Sequence, residues 1–225
     1  MATLTSLIDD VSGHSGPITV SQLLDRASYE RHREGLLVWA RALKAERRLS
    51  VGMDFTLLFE NAATVWVQVQ EELRWVTHLT PSRLQPILAE YNRLIPAPGE
   101  LRGCLFMDTV DFDTVEGYRT PGALEALDLT LHLGVRGYTA RHLESTSSGI
   151  DPVTFVVFAP RKKPTIGPER LSWSGPRAGH VELLPATRQS LGEEVGVVDS
   201  PRSQPPMWAP SSPWLLTRLR PAHEG

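Results

Sequence analysis

Hydrophobic and polar residues alternate most clearly between residues 55 and 70. Every second residue from Phe55 to Phe59 is large and apolar, and residues 65–69 repeat this two-residue period with three valines. Such a period is typical of a β-strand with one buried face. The small and polar residues 61–64 lie between the two runs and are suited to a chain reversal. The pattern predicts a β-hairpin around which the domain is organised.

Helical spacing appears on both sides of this predicted hairpin. A long helix is predicted over residues 28–48, because this stretch contains no proline and repeats apolar residues at helical intervals. Residues 70–76 return to helical spacing, which places Gln70 and Glu71 in the first turn of a second helix. Pro86 is suited to the first position of a third helix, since its missing N–H would have no helical partner there.

Three further apolar segments follow. Residues 101–107 and 153–158 have the character of single strands, and residues 127–142 contain two alternating runs around a turn at 134–137. An order of helix, hairpin, helices and further strands is typical of the α+β class. We therefore predict a largely antiparallel sheet of about five or six strands, with a long N-terminal helix, two further helices and a proline-rich C-terminal extension.

The composition changes near both ends of the chain. Residues 1–17 are mostly small and polar, which predicts a flexible leader. The α+β domain is then expected over residues 18–159. Residues 160–225 contain 11 of the 18 prolines. They also contain Trp173, Trp208 and Trp214, so we expect an extension of which parts dock onto the domain.

Length, charge and cysteine content narrow the class of protein. At 225 residues with 41% hydrophobic content the chain can bury a substantial core, and a net charge of -3 gives no sign of a nucleic-acid-binding protein. Cys104 is the single cysteine, and its place within a predicted strand indicates a small buried apolar residue. No apolar run has the ~18 residues of a membrane span, and Asp9 and Asp10 interrupt any signal peptide. We expect a soluble cytoplasmic protein.

Polar residues concentrate at the corner between the predicted hairpin and the second helix. They are Glu60, Gln68, Gln70, Glu71 and Arg74. If the helix folds back over the hairpin, two carboxylates would meet beside amide groups, which suits a metal ion or a general acid and base pair. The sequence thus predicts four candidate catalytic residues, Glu60, Gln70, Glu71 and Arg74, with Glu60 and Glu71 as metal ligands. The alternative is a structural role, in which Glu71 stabilises a helix start.

Basic residues concentrate near the end of the long helix. Arg41, Lys44, Arg47 and Arg48 follow one another closely, and clustered cations raise the local positive potential. Part of this cluster is explained by the helix dipole, which favours cations in the last turn. The acidic net charge and the lack of an aromatic stacking platform beside the cluster disfavour nucleic acid. We expect a protein partner, or another anion, to bind these four residues.

Several short motifs recur in an order that resembles a known family. They are the segments 29–31, 44–48, 51–52, 57–61 (LLFEN), 68–71 and 91–96 (YNRLIP), together with Thr64 and Arg74. Over residues 18–110 this succession resembles DUF3501, a family of uncharacterised bacterial proteins, and the resemblance is specific because the motifs keep their order and spacing. It implies a cytoplasmic protein whose gene lies near those of rubrerythrin-like and iron-sulfur proteins, with no known activity.

Two functions follow from these observations. The first is an accessory protein of a bacterial iron or redox system, which docks a protein partner through the basic cluster and the tryptophan-containing extension. The alternative is a small enzyme, with a metal ion as the cofactor that the glutamate, glutamine and arginine cluster would suit. Neither function requires contact with a membrane.

Overall fold

Two separate apolar cores divide the fold into a helical part and a β part. A computed structural model of the chain describes residues 3–76, 79–109, 111–120, 123, 127–143, 152–160, 164–175 and 177–196. Its α-helices are α1 (Leu4–Ser12), α2 (Arg26–Ala45), α3 (Ala62–Leu73), α4 (Pro81–Asn92), α5 (Phe112–Arg119) and α6 (Pro185–Glu194), with a 3-10 helix at Val20–Gln22. Its strands are β1 (Arg48–Val51), β2 (Phe55–Glu60), β3 (Leu101–Met107), β4 (Leu129–Leu133), β5 (Arg136–Thr139), β6 (Arg141–His142), β7 (Val153–Phe158), β8 (Pro168–Trp173) and β9 (Gly179–Glu182).

The described strands form two antiparallel sheets. One has the order β1-β2-β3-β7-β6 and the other has the order β5-β4-β8-β9. Only Ala140 separates β5 from β6, so one bent segment contributes to both sheets. At the opposite side, β1 lies against β9. The two sheets therefore nearly enclose a common core.

Alternating side chains from both sheets fill this core. Every second residue of β2 from Phe55 to Phe59, and every second residue of β4, point into it. Leu171 from β8 and Leu191 from α6 belong to the same cluster, together with residues of β1, β3 and β7. The other residues of β2 face the opposite side, and Glu60 among them contacts α3.

Helices α1 to α4 form the second core. Tyr29, Leu36 and Trp39 of α2 pack in one cluster with Val65 and Trp66 of α3. Three direct connections join the helical part to the β part: α2 to β1, β2 to α3, and α4 to β3. In the described part of the chain, no helix combines the length and the apolar character that a bilayer crossing requires.

The predicted α+β class and its antiparallel pairing are confirmed. The strands are divided between two sheets instead of gathered in one, because alternation reveals the face that a residue takes and not the strand that pairs with it. The long helix is present as α2, with Asp25 as its N-cap accepting a hydrogen bond from the Ser28 backbone N–H at 3.0 Å. The strands predicted at 101–107 and 153–158 are β3 and β7.

The predicted hairpin is wrong in its second strand. Residues 62–73 form α3, and the hairpin partner of β2 is β1, across a turn in which Gly52 has a φ of 66°. The Thr64 backbone N–H donates to the Asn61 side chain and the Asn61 N–H donates to the Thr64 hydroxyl, both at 2.9 Å, which starts the helix. Because α3 is buried on almost every side, its sequence lacks the polar face that identifies a surface helix.

The chain ends and the third helix also differ from expectation. Residues 4–12, expected in the flexible leader, form α1, and Val11 joins the helical core. Beyond residue 159, β8, β9 and α6 belong to the β part, so the fold continues past the expected boundary. Pro86 lies inside α4, which begins at Pro81. Residues 197–225, with Trp208 and Trp214, lie outside the described residues.

Gly103 lies where β3 passes very close to β2. A Cβ atom there would lie 2.8 Å from the Leu58 carbonyl oxygen and 3.0 Å from Leu57 Cδ1. We predict that Gly103→Ala lowers the free energy of unfolding in urea by roughly 1 to 3 kcal/mol, because backbone atoms must move apart. Gly117→Ala in α5 is the matched control: nothing lies within 4 Å of the added atom, so a gain of up to ~1 kcal/mol is expected. Equal effects of the two substitutions would contradict this close approach.

Candidate functional site

Arg47 lies between α2 and β1 and is buried, with only 1% of its surface exposed. Its Nε donates to the Phe59 carbonyl at 2.9 Å, and its Nη2 donates to the Glu60 carbonyl at 3.2 Å. Nη1 donates to Ser190 Oγ at 2.8 Å, and Nη2 also reaches Glu194 Oε2 at 3.1 Å. This side chain therefore joins the end of β2 to α6. Its expected place in a partner-binding surface is wrong, since the structure uses it inside the fold.

The surroundings of Arg47 act on both charges of its ion pair. Burial lowers the pKa of the Arg47 guanidinium, while the nearby Glu194 carboxylate opposes that change. Burial likewise raises the pKa of the Glu194 carboxyl above its usual range, and the charge of Arg47 opposes this. Each charge thus compensates for part of the water that the other has lost.

We predict that Arg47→Met is strongly destabilising. The variant leaves two carbonyl groups and Glu194 without their donor, which costs roughly 3 to 5 kcal/mol in the free energy of unfolding, measured by urea denaturation. Arg48→Met at the exposed neighbouring position is the control and should change stability by less than about 0.5 kcal/mol. Similar losses in both variants would refute a special role for the buried guanidinium.

Glu60 forms a buried polar cluster with neutral partners. It is 1% exposed, and its Oε2 accepts a short hydrogen bond from the Thr64 hydroxyl. Its Oε1 accepts hydrogen bonds from Gln68 Nε2 at 2.8 Å and from Cys104 Sγ at 3.8 Å. Burial, followed by the charge of Glu60, raises the pKa of the Cys104 thiol. The thiol therefore stays protonated, and the predicted buried position of Cys104 is confirmed.

Glu71 belongs to a different cluster, which joins α2 to α3. The Tyr29 hydroxyl donates to its Oε1 at 2.8 Å, and Arg33 donates from Nε at 2.8 Å and from Nη2 at 2.7 Å. Arg74 Nη1 lies 3.6 Å from Oε2. The hydrogen bonds from Arg33, together with that from Tyr29, lower the pKa of the Glu71 carboxyl. The arrangement resembles a structural ion-pair network more than an open site.

The other two candidate catalytic residues have separate surroundings. Arg74 Nε donates to Glu30 Oε1 at 2.6 Å, and its guanidinium lies 5.5 Å from the centre of the Trp75 ring. Gln70 is buried at 2% exposure, and its amide nitrogen has no hydrogen-bond partner among the described residues.

The predicted polar corner does not form. Glu60 precedes α3 and Glu71 lies in its last turn, so their backbone positions are about 16 Å apart along the helix, and their carboxylates have different hydrogen-bond partners. The structure brings Gln68 to Glu60 and brings Arg74 to Glu71, but it does not bring the two pairs together. Within the described residues, no group of three or more His, Cys, Asp or Glu side chains is placed to hold a metal ion. The predicted corner depends on a strand over residues 65–69, and these residues lie in α3.

The stability that Glu71 contributes should depend on pH. The pKa of Glu71 is lowered from 4.5 in the folded protein, so its contribution is complete above 4.5 and is lost as the pH falls through the lower folded-state value. We predict that Glu71→Gln lowers the free energy of unfolding by about 1 to 2 kcal/mol at pH 7. The difference between the variant and the wild type should shrink below about pH 4. Urea denaturation at several pH values measures it, with Glu90→Gln at an exposed position as control. A difference independent of pH would contradict the assignment.

The remaining basic residues form a surface at the end of α2. Arg41 and Arg48 are exposed and Lys44 is half-buried; we call these three residues the α2 basic surface. Arg48 stands opposite Leu58, which pairs with Cys104 on the next strand, and the charge of Lys44 also acts on Cys104. Arg48 and Lys44 are thus both near the pair Leu58 and Cys104, and Arg41 lies about one helical turn before Lys44 on α2. None of the three cations forms an ion pair with another described residue.

A further polar site, which the sequence did not indicate, lies at the turn between β1 and β2. Asp54 Oδ2 accepts hydrogen bonds from the Tyr118 hydroxyl at 2.8 Å and from Arg177 Nη1 at 2.6 Å. Together with Trp173 they line a pocket of about 30 Å³, room for about one water molecule. Burial and the bond to Asp54 raise the pKa of Tyr118 to about 12. These residues come from three distant segments, so no spacing in the sequence could reveal the site.

The comparisons with known proteins concern the family and the fold. The family model of DUF3501, described as a protein of unknown function, matches residues 17–147, which is more than half of the chain. The chain belongs to the DUF3501 family. A search of curated proteins found no match.

A solved structure is similar to this DUF3501 protein in fold. It is the crystal structure of a novel protein of unknown function from Burkholderia pseudomallei K96243, with a TM-score of 0.68 and 20% sequence identity. The similarity covers 79% of this chain and 98% of that chain. At this identity it concerns the fold alone.

Two of the polar clusters lie entirely within the residues that the DUF3501 model matches, and a third lies only partly within them. Glu60 and Glu71 lie within it together with the residues that bond to their side chains. Arg47 also lies within it, but Ser190 and Glu194, which meet Arg47 on α6, lie beyond it. In this chain the matched region is thus held by a segment outside the match.

Proposed function

We propose that this DUF3501 protein is an accessory protein of a bacterial iron or redox system and that it docks an acidic protein partner through the α2 basic surface. The observation that carries the proposal is the free positive charge of that surface. Arg41, Lys44 and Arg48 have no ion pair among the described residues. Clustered cations attract acidic surfaces and speed their association.

Two other basic side chains of the helical part already have acidic partners. Arg33 pairs with Glu71 at 2.7 Å, and Arg74 pairs with Glu30 at 2.6 Å. Val38 lies about one helical turn before Arg41 and is 55% exposed, which adds an apolar contact beside the charges. An exposed apolar side chain beside cations is suited to an acidic protein surface better than to a small ion.

The iron or redox context is supported by the family resemblance. The resemblance implies genes for rubrerythrin-like and iron-sulfur proteins near that of this chain. The α2 basic surface supplies a chemical reason for such a protein to associate with a negatively charged partner.

The proposal is tested by binding to a purified rubrerythrin-like protein from the same organism. Biolayer interferometry at about 50 mM and about 500 mM salt should show binding that weakens steeply with salt, because exposed charges are screened. We predict that the double variant Arg41→Glu, Arg48→Glu binds at least about tenfold more weakly, since it reverses two charges at the contact.

Arg83→Glu in α4 provides the matched control. Arg83 is exposed, has no ion pair among the described residues and does not belong to the α2 basic surface. Its reversal should leave binding nearly unchanged. If both variants weakened binding equally, the effect would come from the change in net charge and not from the α2 basic surface. Unaltered binding in the double variant would refute the proposed surface.

The alternative of a small metal-dependent enzyme has less geometric support. It requires Glu60 and Glu71 at a common site, and these carboxylates lie at opposite ends of α3. Both are occupied by hydrogen bonds from neighbouring side chains. The docking function is therefore the one we propose.

A further inference from the structure

A gap opens between the two sheets beside their shared bent segment. β6 pairs with β7 through Arg141 opposite Val157 and His142 opposite Val156, whereas β5 turns away and pairs with β4. The end of β7 therefore diverges from β5. The slot between them has a volume of about 650 Å³. Its lining consists of Arg136, Gly137, Tyr138, Thr139, Arg141, Val157 and Ala159.

The edge of β5 that faces this slot is free to accept another strand. β5 is the last strand of its sheet and pairs only with β4 among the described strands. All four of its residues, from Arg136 to Thr139, line the slot. An unpaired strand edge presents a row of backbone N–H and C=O groups, to which an extended peptide can add. Arg136, Gly137 and Thr139 are exposed, so the edge is accessible.

The charge at the slot is positive although the chain as a whole is acidic. Arg136 and Arg141 both line it, and neither forms an ion pair with another described residue. Two cations thus line the slot, against a net charge of -3 for the whole chain.

The C-terminal residues of this chain are a poor electrostatic match for the slot. Residues 197–225 contain Arg202, Arg218 and Arg220 but only two acidic residues, Asp199 and Glu224. They also contain six prolines, and proline lacks the N–H that a sheet ladder needs. An acidic segment from another protein is suited to the slot better on both grounds.

We propose that this slot binds an extended acidic segment of a partner protein, which adds to β5 as a further strand. The backbone of the segment pairs with the free edge of β5, and its carboxylates pair with Arg136 and Arg141. Arg141 follows Arg136 by five positions, a span of up to about 17 Å along an extended chain, and an extended segment of about six residues covers that span. The slot lies in the β part and is distinct from the α2 basic surface.

The experiment uses the full chain and a fluorescein-labelled peptide of about eight residues in which glutamate and valine alternate. Fluorescence anisotropy should show saturable binding. The double variant Arg136→Glu, Arg141→Glu should bind at least about tenfold more weakly, because it replaces two attractive contacts by repulsive ones. Arg83→Glu should bind as the wild type does. A peptide of the same sequence with alternate backbone nitrogens methylated should bind at least about tenfold more weakly, since it cannot pair with a strand edge.

Several results would overturn the proposal. Equal binding of the methylated peptide would mean simple charge attraction without strand addition. Tighter binding of an oligothymidylate, lost in the same double variant, would assign the slot to nucleic acid. Deletion of residues 197–225 that raises the affinity for the peptide would show that the chain's own C-terminus occupies the slot.

The two proposals can fail separately. The variant Arg41→Glu, Arg48→Glu should bind the peptide normally if the slot is independent of the α2 basic surface. The slot proposal would be wrong if that variant lost peptide binding while Arg136→Glu, Arg141→Glu retained it. The acidic segment would then bind to the α2 basic surface.

Discussion

A single buried guanidinium connects the parts of this protein. Arg47 leaves the end of α2 and reaches the last carbonyl groups of β2 and two side chains of α6. Removing such a charge from water costs several kcal/mol, and only a nearly complete set of acceptors offsets that cost. Four acceptors meet Arg47 here. The position of the end of β2, from which α3 starts, therefore depends on the same side chain as the docking of α6.

The glutamates near the two ends of α3 already have hydrogen-bond partners within the fold. Glu60 and Glu71 are each surrounded by hydrogen-bond donors that belong to the fold. Unpaired cations lie instead on the α2 basic surface and along the slot beside β5. A charge that lacks a partner within its own chain is free to attract one from another molecule. Both surfaces have the same sign, so both are suited to acidic partners.

The DUF3501 match ends before the fold is complete. It stops at residue 147, whereas β7, β8, β9 and α6 contribute to the enclosed core of the β part. The slot also spans this limit, since Arg136 and Arg141 lie within the match and Val157 and Ala159 lie after it. The hydrogen bonds from Arg47 to α6 show that the segment after the match has a structural role in this chain.

The sequence by itself determined the elements whose patterns are local. Alternation identified β2, β3 and β7, helical intervals identified α2, and a mid-strand position indicated that Cys104 is buried. Tertiary structure decided the rest. The helix α3 is buried on almost every side, so its sequence lacks the broad polar face that would separate it from a strand. The contact of Arg47 with Glu194 joins residues that are far apart in the chain. Periodicity reports which face of an element is buried, whereas the partner of a charged side chain depends on how distant segments pack.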